Sequence, residues 1–294
     1  MLLIVGTVPD ETFPLTVGPA VLDGADMIVN GIRVPVNRGT PALVGAVLAA
    51  CQVLGSMPVE TALVGDIGTG KGSRRLYEHL SRELPGMAAT TLAFHYLQPD
   101  VDWHNKVLFA VEEMEKRPVL IADAGFMYAA KMSGQAQSYD LFTPDVGELS
   151  FLADETAPHP FYTRGFILHQ DNNVPDLIAR AHEYRNGARH LLVKGSVDYV
   201  VADGEITGQV SKPTAEAMEA MGGTGDTLTG LACVLIESGK SIQNACRIAA
   251  LVNRMAGMYA NPTPACQVMD IILQIPKALT RVLELDDSVE APDT

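Results

Sequence analysis

The chain has 294 residues, 47% hydrophobic and only 6% aromatic, which is enough for a sizeable core and does not require a second full domain. Its 21 basic and 35 acidic side chains give a formal charge of −14, a surface that repels nucleic acid and anionic membranes. An anionic substrate would then need local positive fields from helix ends, Lys, Arg or a metal ion. The four cysteines, Cys51, Cys233, Cys246 and Cys266, are scattered with no C-x-x-C pair, so reduced, buried thiols in a cytoplasmic protein are expected.

Residues 2–8 are apolar but too short for a signal peptide or membrane span, and predict a first strand. Residues 27–34 place two β-branched runs around Asn30-Gly31, the signature of a type I′ hairpin. Thr40-Pro41 supplies an N-cap and a proline at the first helical position. The helix that follows, over 41–54, is apolar nearly all round and predicted to be buried.

Strands and helices then alternate. Strand 61–64 leads through a glycine-rich turn to helix 74–83, strand 90–96 to helix 103–116, and strand 119–122 to a short segment at 126–132. A short strand at 140–143, helix 174–186, strand 190–193 and a hairpin of 199–202 with 205–208 come next, and long helices fill the chain from 227. This order predicts an α/β fold with a mostly parallel central sheet flanked by helices on both faces. Ligands in such sheets bind beyond the carboxyl ends of the strands, where Thr7, the Asp66 turn, His95, Asp123, Asp145 and Lys194 fall. A single domain is expected over 1–282, with a β-hairpin insertion at about 10–40 and a disordered acidic tail at 283–294.

The most informative stretch is Gly222-Gly223-Thr224-Gly225-Asp226, which runs into an apolar, helix-compatible segment. Glycines let successive N–H groups converge, and a helix start adds unpaired N–H groups and a positive dipole end, so the turn suits a phosphate. A carboxylate at its mouth can take a proton from a hydroxyl attacking phosphorus. The plainer reading is a glycine-rich turn with a capping aspartate. A second glycine-rich turn, Gly65 to Ser73, carries the G-x-x-x-x-G-K core of a P-loop, but Gly72 stands where the magnesium-binding hydroxyl belongs. It reads better as a turn lining a substrate cleft.

Five stretches carry a family resemblance: the G-T-G-D turn, Thr143-Pro144-Asp145-Val146-Gly147-Glu148, the strand end at Asp123, Leu192-Val193-Lys194-Gly195, and the closing run from Met255. In this order they resemble the ribokinase-like superfamily, most closely its NAD(P)H-hydrate dehydratase branch, over roughly 110–285. The resemblance implies a ribokinase-like fold with an N-terminal β-hairpin insertion, ATP or ADP as nucleotide, and Mg2+. It makes Asp226 the base, Gly223, Thr224 and Gly225 the anion hole, and Glu148 the metal ligand. Lys194, Gly195, Gly222 and Asn253 would meet the nucleotide; Arg38, Thr40, His95, Asp123 and Asp145 would meet the substrate.

The sequence departs from the branch at Asp145, where a histidine is usual, at Glu216 and Met218, and at Asn253-Arg254-Met255. The implied function is dehydration of NAD(P)H hydrate by phosphoryl transfer and elimination. A kinase of a small hydroxylated metabolite and a nucleotide-binding regulatory protein without catalysis are the alternatives. Small-molecule substrate and nucleotide are the expected partners, with neither nucleic acid nor membrane, and a homo-oligomer is expected.

Overall fold

A computed structural model describes residues 1–55, 57–156, 158, 173–263 and 265–290. The chain forms two compact units, each discontinuous in sequence: residues 1–18 with 59–209, and residues 19–58 with 210–294. This is a finer division than the single domain expected over 1–282.

The first unit is built on a sheet in which β5 (Val59–Gly65), β1 (Leu2–Val8), β6 (Thr91–His95), β7 (Val119–Ala122), β8 (Leu141–Phe142) and β9 (His190–Val193) run parallel side by side. β10 (Asp198–Ala202) turns back antiparallel on β9, and β11 (Glu205–Val210) follows it at the edge. Every residue of β1 is buried, as expected of a central strand covered on both faces. Leu3, Val5, Ala62 and Val64 alternate along β1 and β5. They join one core with Leu76 and Tyr77 of α2 (Lys71–Glu83), Val107 and Val111 of α3 (Val101–Glu112), and Phe126 of α4 (Ala124–Met132). Among the described residues this unit also has the short helices α5 (Val146–Leu152) and α6 (Val174–Glu183).

β2 (Thr16–Asp23) carries the chain from the first unit into the second, where it pairs antiparallel with β3 (Asp26–Val29), and β3 with β4 (Ile32–Pro35). Asn30 and Gly31 at the β3–β4 turn both have positive φ, 48° and 80°, the left-handed pair that a type I′ turn requires. Among the described residues the α-helices of this unit are α1 (Thr40–Leu54), α7 (Thr224–Glu237), α8 (Ile242–Ala260), α9 (Val268–Ile272) and α10 (Ile275–Glu290). α1 is buried along most of its length, as its all-round apolar sequence predicts. It packs on α7 at very close range: a Cβ on Gly230 would lie 2.4 Å from the Leu43 carbonyl oxygen.

Two local expectations are corrected. Helix α1 starts one residue earlier than expected, with Gly39 at the N-cap and Thr40 inside the first turn, where Thr40 is fully buried. Gly39 leaves the helix through a backbone conformation closed to other residues, so no side-chain cap is needed to start it. The acidic tail is helical through Glu290, where Leu279 and Val282 of α10 are buried and Arg247 of α8 pairs with Asp286; only 291–294 lie outside the described residues. The cysteines are free, Cys233 and Cys246 buried, Cys51 and Cys266 half-buried. No helix among the described residues is long and apolar enough to cross a membrane.

Candidate functional site

The residues singled out in the sequence form two groups, one in each unit. In the second unit Met221 and Gly222 lead into Gly223, whose φ of 101° is left-handed and whose Cβ, if it had one, would press on Val268 at 3.0 Å and on the Arg38 Cα at 3.2 Å. Gly223 is thus required both by its conformation and by the approach of its neighbours. It is the N-cap of α7, and no side chain caps the helix there. The helix therefore begins three residues earlier than expected, which puts Thr224, Gly225 and Asp226 in its first turn. The N–H groups of that turn lie at the positive end of the helix dipole.

Three contacts hold this turn. The Thr224 hydroxyl donates to the carbonyls of Met218 and Met221, both at 3.3 Å. Asn253, buried on α8, donates from Nδ2 to the Thr224 carbonyl at 3.0 Å and accepts at Oδ1 from the Thr227 hydroxyl at 2.7 Å. Both ends of its amide thus brace α7. Finally, the Gly39 N–H donates to Asp226 Oδ2 at 2.6 Å. Asp226 is 8% exposed and Arg38 is exposed; the Arg38 Cδ would lie 3.6 Å from a Cβ on Gly222. The expected residues Arg38, Gly222, Gly223, Thr224, Gly225 and Asp226 are therefore brought together. Thr40 stands beside them but is sealed in the core, which argues against contact with substrate.

The second group lies at the carboxyl ends of the parallel strands of the first unit. Asp123 ends β7, caps α4 by accepting from the Ala124 N–H at 2.8 Å, and is 1% exposed. Lys194, at the end of β9, donates to both its oxygens at 2.9 and 3.0 Å. His95 at the end of β6 is fully buried, with Nε2 3.7 Å from Asp123 Oδ2. Lys194 is thus committed to a buried carboxylate, and the Gly195 N–H donates to Asp198 at 3.1 Å, so both expected nucleotide contacts have internal partners.

Asp145 and Glu148 form a capping box on α5: Asp145 accepts from the Glu148 N–H at 2.7 Å, and Glu148 accepts from the Asp145 N–H at 2.8 Å. Asp145, expected against the substrate, has this capping role. Glu148 keeps chemical interest because burial, then the Asp123 charge, push its carboxyl up to about 8, against the pull of Lys194. Tyr128 approaches it at 3.4 Å, and its phenol is raised in turn by burial and by Glu148.

The P-loop-like turn belongs to the first unit and is filled by its own aspartate. Asp66 accepts from the N–H groups of Gly68, Gly70 and Ser73 at 3.0, 3.1 and 2.8 Å, and from the Ser73 hydroxyl at 2.8 Å. Burial raises its pKa, but the bonds from Ser73, Gly70 and Gly68 outweigh that and hold the carboxyl below its usual 3.8. The turn borders a cleft of about 280 Å³ lined by Lys71, Arg74, Tyr77 and Gln98. Asp66 and Gly39 are the organising residues that pattern reading missed. An aspartate preceding G-x-G was a signal for the first; only the glycine before Thr40-Pro41 marked the second.

Residues 98–277 match the family described as NAD(P)H-hydrate dehydratase. The chain belongs to that family. It is 38% identical over 243 residues to an uncharacterised protein of Methanocaldococcus jannaschii, a match covering 82% of this chain and 100% of that one. It is also 38% identical over 122 residues to the bifunctional NAD(P)H-hydrate repair enzyme of Hyperthermus butylicus, covering 40% of this chain and 22% of that enzyme. Among solved structures, a ribokinase-like superfamily protein of Enterococcus faecalis superposes with a TM-score of 0.56 at 14% identity, covering 96% of this chain and 87% of that one. The fold is therefore ribokinase-like, and family and fold make the chain an enzyme of the NAD(P)H-hydrate dehydratase or kinase type.

Proposed function

We propose that this enzyme dehydrates NAD(P)H hydrate at the expense of ATP or ADP, with Asp226 as the base. The observation that carries the reading is the uncapped start of α7, where the N–H groups of Thr224, Gly225 and Asp226 open a helix beside a carboxylate held from outside that helix. A terminal phosphoryl group suits such a turn, because fixed N–H dipoles stabilise the charge that moves onto its oxygens.

The hydroxyl oxygen of the hydrated nicotinamide ring attacks the terminal phosphorus and its proton passes to Asp226. The bond from phosphorus to the departing nucleotide breaks, so ATP leaves as ADP, or ADP as AMP. In the second step a proton is lost from the neighbouring ring carbon, the ring C–O bond breaks with its electrons leaving on phosphate, and the ring double bond re-forms. Gly223 permits the close approach of the turn, and Asn253 with Thr227 keeps it rigid.

Glu148 supports a place for Mg2+, since its carboxyl feels Asp123 and Asp145 with Lys194 as counter-charge, a surplus of negative charge that fits a divalent cation. Bound there, the ion would offset the negative charge gathered around Glu148. The reading is tested by incubating the enzyme with NADH hydrate and either nucleotide. Recovery of NADH with equimolar phosphate release is expected. Stable accumulation of a phosphorylated product would replace dehydration by a kinase activity, and absence of nucleotide turnover would remove both.

A further inference from the structure

Gly39 takes φ 68° and ψ −150° at the start of α1, a region that glycine occupies and residues with a Cβ avoid. From that conformation its N–H reaches Asp226 Oδ2 at 2.6 Å across 187 residues of sequence, a charge-assisted bond. The contact is set by rigid parts: α1 and α7 pack with Gly230 against the Leu43 carbonyl, and the Arg38 backbone lies against Gly223. Two helix starts therefore converge on one carboxylate, Asp226 in the first turn of α7 and Gly39 at the N-cap of α1.

We infer that Gly39 is a positioning residue of the base, its N–H holding Oδ2 of Asp226 in one place and so fixing the direction in which the carboxylate faces the substrate hydroxyl. The inference rests on the assignment of Asp226 as base. A carboxylate that swings about its Cβ–Cγ bond faces many directions; one that is held at Oδ2 by a fixed backbone N–H faces one. Orientation of this kind governs turnover far more than binding, and a misplaced group can cost about 10²-fold. A Cβ at position 39 would force the backbone toward negative φ and carry the N–H away from Asp226. Sequence spacing cannot reveal this pairing, since the two residues are linked only by the packing of α1 on α7.

The test combines Gly39→Ala, Asp226→Asn and the wild-type protein. Gly39→Ala is expected to lower kcat about 10- to 100-fold and leave the nucleotide Kd within about twofold. Its acid limb should move to higher pH, because a carboxylate that loses an N–H donor holds its proton more tightly. A merely structural role would lower the folded fraction and leave that limb in place. In the substrate-free wild-type protein, the Gly39 amide proton should titrate together with the 13C-labelled Asp226 carboxyl, a readout that stands even if the variant fails to fold.

Loss of turnover in Asp226→Asn with an unchanged Gly39→Ala profile overturns the inference and leaves the base assignment in place. Turnover retained in Asp226→Asn removes the base assignment, and with it the role given to Gly39. A Gly39 amide shift that ignores Asp226 ionisation overturns the positioning bond directly.

Discussion

The two glycine-rich turns of this chain look alike in sequence and differ in what fills them. In the turn before α2, Asp66 comes ahead of the glycines, and its carboxylate accepts from Gly68, Gly70 and Ser73, occupying the place an anion would take. In the turn before α7, Asp226 comes after the glycines, so its side chain cannot fold back over them in the same way. It is held by Gly39 from another helix, and no side chain caps Gly223. The order of aspartate and glycine thus separates a turn that is filled by its own carboxylate from one whose aspartate is held from outside the helix.

The comparison breaks most readily at the two aspartates. Asp226→Asn is expected to cut turnover about 10²–10⁴-fold while leaving nucleotide binding intact, since the amide fills the same space but takes no proton. Steady-state rates beside calorimetric titration separate the two effects, and retention of more than a tenth of the rate would sink the catalytic assignment. Asp66→Asn should behave oppositely. It leaves N–H groups of the turn short of a charged acceptor, at a stability cost of about 1–3 kcal/mol in urea unfolding, with turnover per folded molecule preserved.

The pH dependence of that stability loss carries its own sign. Asp66 is held below its usual 3.8, so its contribution is complete above that pH and is lost as pH falls through the lower, folded value. The stability gap between wild type and Asp66→Asn should therefore close in acid below about pH 3.8. A gap independent of pH would mean that the carboxylate charge is not what the turn uses.

Glycine substitutions sharpen the contrast at smaller scale. Gly223→Ala places a Cβ at 3.0 Å from Val268 in a left-handed residue, and is expected to weaken nucleotide binding about tenfold, or about 1.4 kcal/mol. Gly70→Ala has more room, with its nearest neighbour at 3.7 Å, and should cost about 1 kcal/mol of stability for its positive φ with no change in nucleotide affinity. Equal effects of the two on nucleotide Kd would erase the distinction between the turns. The smallest effect is expected from Lys71→Ala, which should leave nucleotide Kd within about threefold, under 1 kcal/mol. Abolition of binding by that change would restore the P-loop reading of Gly65 to Ser73.

Much of the architecture was legible because it is written in local periodicity. The apolar run at 2–8 became β1, Asn30-Gly31 made its turn, and the all-round apolar segment before Gly55 became the buried α1. The family signature likewise singled out Gly223 to Asp226, which open α7. What pattern reading missed are partners distant in sequence. Lys194 looks like a cation for phosphate until Asp123 is seen beside it, 71 residues away. Asn253, expected at the nucleotide, has both ends of its amide on α7. Asp145 and Glu148 are local, three residues apart, a spacing that suits a capping box as well as metal binding, and the reciprocal hydrogen bonds show the cap.

The central claim, that the turn before α7 receives a phosphoryl group which Asp226 helps move onto a substrate hydroxyl, is tested most directly by rapid quench. Wild-type enzyme and Asp226→Asn would be mixed with labelled ATP and NADH hydrate in a single turnover. A phosphorylated form of the hydrate should rise and decay as NADH and phosphate appear in equal amounts, and it should be absent from Asp226→Asn. NADH formed without consumption of nucleotide, or an equal burst in both proteins, would contradict the account.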